Sequence, residues 1–313
     1  MKYVSMINSL FCKQLEEAER LAVYGQNIDA GSCLSGLTRG FSGIPDVKVL
    51  NTQNSENALL GAGFGLMLRG FNAAFFMKQQ DFLLLGCDQI VNTWNILRNK
   101  NLSTSFTIVT IVVDHGFEGP QSQLNNFSDF CSLAHIPGFT LNSEAEAKYI
   151  ISKEFVKPGF RIFGVSQRLF GGPVPGLGFS PVALYDGEIF CYEKGTDLTI
   201  VSTNFAFEQS FNFWQRCKKQ GYSVSLFSVP SVSPSSWDTI IEDACLTKKI
   251  LVIDDSKTDN KPIHRLLYEV LRSNPDINCQ IAARQLGAES LYPNDDIFEI
   301  NFEETIGGFP FDN

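Results

Sequence analysis

"NSENALLGAGFGLMLRGFNAAFFM", residues 54–77, decides how the chain is read. Residues 56–69 form an apolar, glycine-rich run with no base before Arg69, the composition of a buried helix. "NAAFFM" (72–77) is apolar without alternation, as strands covered on both faces are. A helix handing over directly to such a strand implies a βα unit in a parallel sheet. A single acid, Glu56, stands at the head of the helix.

The same alternation extends in both directions. Strands are expected at 21–25, 47–51, 106–114, 160–166, 198–204, 223–229 and 249–255, where Val, Ile and Phe dominate. Helices are expected at 4–20, 84–99, 144–155, 205–219, 235–247 and 261–273. The fold class is therefore α/β with doubly wound, mostly parallel sheets. "GGPVPGLGFSP" (171–181) is too rich in Gly and Pro for an element interior. A first domain is expected over 1–172, a linker over 173–183 and a second domain over 184–313. Both domain lengths are ordinary.

Bulk properties narrow the function. The chain has 313 residues, 44% hydrophobic and only 19% charged, with 27 Phe. Low charge with many aromatics suits a protein that buries surface against other subunits. A net charge of −9 disfavours nucleic acid as a partner. No run reaches the roughly 18 apolar residues that a membrane helix needs. The acidic "EEAE" stretch near the N-terminus argues against a signal peptide. The eight Cys are scattered without a CxxC pair, which reads as reduced thiols of a cytoplasmic protein. With three His and no clustered ligands, no metal site is expected from this chain.

Individual signals have bland and sharp readings. Glu56 is either a first-turn acid favoured by the helix dipole, with Ser55 as N-cap, or a carboxylate in a low-dielectric cleft. "GAGFG" (61–65) lies within the helix rather than before it, so it is not a dinucleotide loop; its glycines point to close helix packing, including across a subunit interface. In "KQQDFLLLGCDQIVNTWN" (78–95), Asp81 could cap a helix and Phe82 could be core, or Phe82 could offer a flat face to a heteroaromatic ring. "VVDHGFEGPQSQ" (112–123) is a strand end, where α/β sheets bind ligands, and it carries His115. His135 and His264 read as structural. No Ser/His/Asp or Cys/His arrangement has local support, which argues against a hydrolase.

Together these segments resemble a known family. "LTRGFSGIPDVKVLNTQNSENALLGAGFGLMLRG" (37–70), "DFLLLGCDQIVN" (81–92), "GPQSQ" (119–123) with "AHIPGFTL" (134–141), "YEKGTDLTIVSTN" (192–204) and "SPSSWDTIIEDACLTKKILVIDD" (233–255) occur in family order and spacing. The chain resembles the beta subunits of thiamine diphosphate-dependent 2-oxo acid dehydrogenases. It resembles equally the C-terminal halves of transketolase and deoxyxylulose phosphate synthase. The resemblance implies a pyrimidine-binding domain followed by a transketolase C-terminal-like domain. It implies that Glu56 meets the ring nitrogen of the cofactor's aminopyrimidine and that Phe82 stacks on that ring. A carboxylate in that role needs a nearly dry site.

The family's "GDG…N" signature for the diphosphate and its Mg²⁺ has no counterpart here. The resemblance therefore implies an alpha-type partner chain that holds the diphosphate and metal, most simply in an α2β2 tetramer whose beta chains homodimerise. The loop His of "GPTHQ" is absent from Gln121-Ser122-Gln123, and His115 is a candidate replacement. A family Gly-Glu-Asp reads Gly25-Gln26-Asn27. Gln121 and Arg168 are candidate substrate-binding residues, with a surface or interface arginine as the alternative for Arg168. The implied reaction is oxidative decarboxylation of a 2-oxo acid or two-carbon transfer between ketose phosphates. The alternative is a non-catalytic assembly or regulatory subunit with a degenerate site.

Overall fold

The structure, a computed structural model, describes residues 1–115, 127–257, 260–284 and 298–311. After helix α1 (Tyr3–Glu17), the chain lays down β1 (Leu21–Gly25), β2 (Lys48–Asn51), α2 (Glu56–Leu68), β3 (Asn72–Met77), α3 (Trp94–Leu97) and β4 (Ser105–Val112). Then come α4 (Phe127–Ser132), β5 (Gly138–Leu141), α5 (Glu144–Glu154) and β6 (Gly159–Ser166). These six strands form one parallel sheet in the order β2-β1-β3-β4-β6-β5.

The remainder builds a second sheet from β7 (Ala183–Tyr185), β8 (Ile189–Glu193), β9 (Leu198–Thr203), β10 (Val224–Val229), β11 (Lys249–Asp254) and β12 (Asn278–Ala283). Helices α6 (Phe207–Lys219), α7 (Asp238–Thr247), α8 (Lys261–Ser273) and α9 (Phe302–Gly307) belong to this half. Its order is β12-β11-β9-β10-β8-β7; β8 pairs antiparallel with both β10 and β7, and the other pairings are parallel. The two-domain α/β reading therefore holds.

Burial explains the apolar runs. All eight residues of β4 and all six of β9 and β10 are buried, because helices cover both faces of each sheet. The glycines of α2 have three different surroundings. A Cβ on Gly63 would lie 2.3 Å from the Phe106 ring and 2.5 Å from the Tyr24 hydroxyl, so α2 can lie on the sheet only with glycine there. A Cβ on Gly61 would meet the Gln89 side chain at 3.6 Å, and one on Gly65 would meet nothing. The close packing expected of this run is thus against the chain's own sheet at Gly63.

The segment expected as a helix over 84–99 is helical without a break from residue 80 to 97, but irregular: Gln80–Gly86 is 3₁₀, Gln89–Thr93 is a π turn, and residues 87–88 and Trp94–Leu97 are α-helical. Gly86 packs on α2 where a Cβ would strike Leu60 at 2.0 Å, and that approach fixes the turn. Asp81 is buried inside the 3₁₀ turn rather than capping a helix.

The segment leaving the first sheet ties the halves together. Val174 packs in the first core and Phe179 stacks on Tyr192 of β8 at 5.3 Å. Beyond it, the edge of β5 bonds to the second half: Thr140 N donates to Pro230 O at 2.9 Å and Val232 N to Gly138 O at 3.0 Å.

Candidate functional site

In an open α/β sheet, ligands collect outside the carboxyl ends of the strands, where neighbouring connections diverge. In the first sheet that point lies between β1 and β3, since β1 leads to β2 on one side and β3 to β4 on the other. A cavity of about 250 Å³ opens there, lined by Asn27, Ser32, Ser35, Lys78, Gln79 and Gln167 among others. Lys78 is the one charged group in that lining.

Glu56 sits at the same edge, as the first residue of α2. Ser55 occupies the N-cap, yet its side chain makes no capping hydrogen bond. The first helical bond runs from Leu59 N to Ser55 O at 2.9 Å, leaving the N–H groups of the first turn without helical acceptors. Glu56 is half-buried, while Asn57 and Ala58 beside it are exposed. The 3₁₀ turn carrying Phe82 packs directly over this helix start: a Cβ on Gly86 would lie 3.6 Å from the Glu56 carbonyl oxygen. Phe82, four residues earlier, is half-buried against the core beneath α2. The structure therefore brings the Glu56 and Phe82 segments into one corner. The apolar dryness expected around Glu56 is incomplete within this chain.

His115 follows β4 at the same edge and is exposed. Asp114 before it is fully buried. Its carboxylate accepts from Ser166 Oγ at 2.5 Å and Arg168 N at 2.9 Å, and its carbonyl accepts from Arg284 at 2.8 Å. Burial pushes the Asp114 carboxyl up, opposed by the Arg168 guanidinium 3.6 Å away. Arg168 also reaches Glu208 at 3.1 Å and Asp255 at 3.2 Å, and donates to Phe205 O at 3.0 Å. Gln121 lies outside the described residues.

The second sheet has its own divergence point, between β9 and β11. Side chains of the chain fill it. Asp255 accepts from Asn204 Nδ2 at 2.7 Å and Phe205 N at 2.9 Å, besides Arg168. Asp254 accepts from Thr203 Oγ1 at 2.8 Å and Asn260 Nδ2 at 2.9 Å, and burial with Asp255 alongside raises its carboxyl to about 6. This crevice holds the domain junction.

Several of these residues escaped the sequence reading. Lys78 and Gln79 directly follow β3, and Asp254-Asp255 close β11; polar residues at strand carboxyl ends were the available signal. His135 and His264, read as structural, are exposed.

Among the described residues, no group of three or more His, Cys, Asp or Glu could hold a metal, and no helix is long and apolar enough to cross a membrane. All eight cysteines are free thiols.

The chain is 22% identical over 265 residues to a 2-oxoisovalerate dehydrogenase subunit beta of Bacillus subtilis, covering 82% of this chain and 80% of that one. It is 22% identical over 276 residues to a pyruvate dehydrogenase E1 component subunit beta of Acholeplasma laidlawii, covering 84% and 82%. The chain is a relative of the dehydrogenase beta subunits. This beta-subunit relative is also 24% identical over 269 residues to an acetoin:2,6-dichlorophenolindophenol oxidoreductase subunit beta of Cupriavidus necator, covering 83% and 74%. Its fold matches a solved split-gene transketolase, an inactive beta4 tetramer, with a TM-score of 0.72 and 16% identity over 92% of this chain and 90% of that one. No family model matches the chain.

Proposed function

We propose that this chain is the beta-type subunit of a two-chain thiamine diphosphate enzyme and supplies the aminopyrimidine half of the cofactor site. The observation that carries the reading is the corner where the 3₁₀ turn bearing Phe82 packs on the uncapped helix start bearing Glu56. Half-buried Phe82 offers one ring face, and the Glu56 carboxylate can hold a proton against a ring nitrogen. When bound, the cofactor supplies the carbon nucleophile. In this reading the corner serves the aminopyrimidine half, and the diphosphate with its Mg²⁺, which needs a set of oxygen ligands, is assigned to the partner chain.

An alpha-type partner completes the site in this reading. The outward face of α2 (Ala58, Ala62, Gly65, Leu68) is exposed, as are Leu84, Leu85 and Ile96 beside it. An apolar face of this kind marks a protein interface, and covering it would dry the Glu56 corner. An α2β2 assembly with homodimerised beta chains, in the cytoplasm, is the simplest form. His115 at the end of β4 is the proton-transfer group facing substrate. Gln121 remains a substrate-binding candidate, whereas we assign Arg168 to the domain junction because protein carboxylates engage its guanidinium. The polar cavity with Lys78 suits a 2-oxo acid or ketose phosphate.

Glu56→Gln tests the catalytic reading in the assembled two-chain enzyme. Loss of about two orders of magnitude in kcat with intact assembly is expected for removing a proton-transfer group. Unchanged activity would leave the non-catalytic assembly subunit as the reading.

A further inference from the structure

A second cavity, of about 250 Å³, lies on the seam between the two halves. Its apolar wall is built from Ile136, Val232, Trp237 and Pro262. His135, Lys261 and Arg265, all exposed, also line the cavity. Among the described residues no acidic side chain lines it, although the chain carries a net charge of −9. None of the three basic side chains makes an ion pair among the described residues. Lys261 and Arg265 are one helical turn apart on α8, so both project from the same side of that helix's first turns. The positive end of the α8 dipole reinforces them. His135 joins them from the other half, held in a left-handed conformation with φ 51° just after α4.

We propose that this cavity binds a small phosphomonoester with an apolar body, as an effector rather than a substrate. Two formal cations and an imidazole line one cavity, and Lys261 opens helix α8 there. That set favours a dianionic phosphate over a neutral group. The Trp237 and proline wall takes an apolar or planar body. The volume lies just below the range of drug-sized ligands, so the body is small. Because α4 belongs to the first half and α8 to the second, the ligand bridges both. It therefore favours one relative setting of the two halves. This site is independent of the cofactor corner.

The test is isothermal titration of phenyl phosphate, inorganic phosphate and benzyl alcohol into the full chain and into a Lys261→Ala/Arg265→Ala variant. Both substituted side chains are exposed, so the variant is expected to fold. Phenyl phosphate should bind one site, and inorganic phosphate and benzyl alcohol at least about tenfold more weakly, each lacking one half of the recognition. The variant should lose at least about tenfold in phenyl phosphate affinity. No binding of phenyl phosphate at millimolar concentration, or affinity undiminished in the variant, would overturn the proposal.

Discussion

Glu146 shows how far a single residue can depart from its local pattern. It lies in the first turn of α5, and its N–H donates to the Ser143 hydroxyl at 3.2 Å, an ordinary cap. Its side chain does not return to the helix start. It crosses to the second half and accepts from the Tyr192 hydroxyl at 2.8 Å, fully buried. Burial raises its carboxyl to about 7. The folded state therefore binds this proton more tightly than the unfolded chain. The associated stability is complete below the ordinary glutamate range and is lost as pH rises through about 7. Glu146→Gln keeps an acceptor for Tyr192 and removes the titration. Thermal unfolding from pH 5 to 8 should then show a shallower downward slope, reduced by on the order of 3 kcal/mol across the range, with the remainder carried by Asp254 and Asp114, whose carboxyls are also raised. An identical slope in the variant would refute the assignment. The local sequence around Ser143 held no sign that this acid serves a junction. Glu56 and Phe82 could be singled out because each belongs to an ordered series of segments, and their roles remain the proposal made above. Arg168 was legible only as a charge, since its partners Glu208 and Asp255 lie far along the chain.

At the scale of elements, long apolar periods were readable and short or half-exposed segments were not. Strands β1 and β3 fall at the expected residues because continuous burial leaves an unbroken apolar run. β5 has four residues and β7 three, and β12 is half-exposed with polar residues, so no period could emerge. The helix expected over 84–99 is present but irregular, passing through 3₁₀ and π turns where Gly86 packs closely on α2. Two glycines of α2 test this view in opposite directions. Gly63→Ala places a methyl into Phe106 and Tyr24 and should destabilise by about 1–3 kcal/mol through overpacking. Gly65→Ala meets open space and should stabilise the isolated chain by up to about 1 kcal/mol through helix propensity. Denaturant titration of both variants decides; equal effects would mean that α2 does not rest on the sheet as described.

At the scale of the molecule, two sheets meet through a charged junction and a backbone seam. Arg168 of the first half is inserted among Asp114, Glu208 and Asp255. Arg168→Met removes the guanidinium that pairs with buried Asp114 and Asp255, at a cost of about 3–5 kcal/mol. Scanning calorimetry should then resolve two transitions in place of one; a single unshifted transition would contradict the junction's role. The two-sheet architecture was visible in the alternation of strands and helices, whereas the junction was not, because it joins residues distant in sequence. The proposal of a cofactor site shared with a second chain rests on the missing diphosphate signature. The most direct test of that claim is calorimetric titration of thiamine diphosphate with Mg²⁺ into this chain alone and into its complex with the alpha-type chain. Binding confined to the complex is the predicted result. Full-affinity binding by this chain alone, or none by the intact complex, would contradict a site shared between two chains.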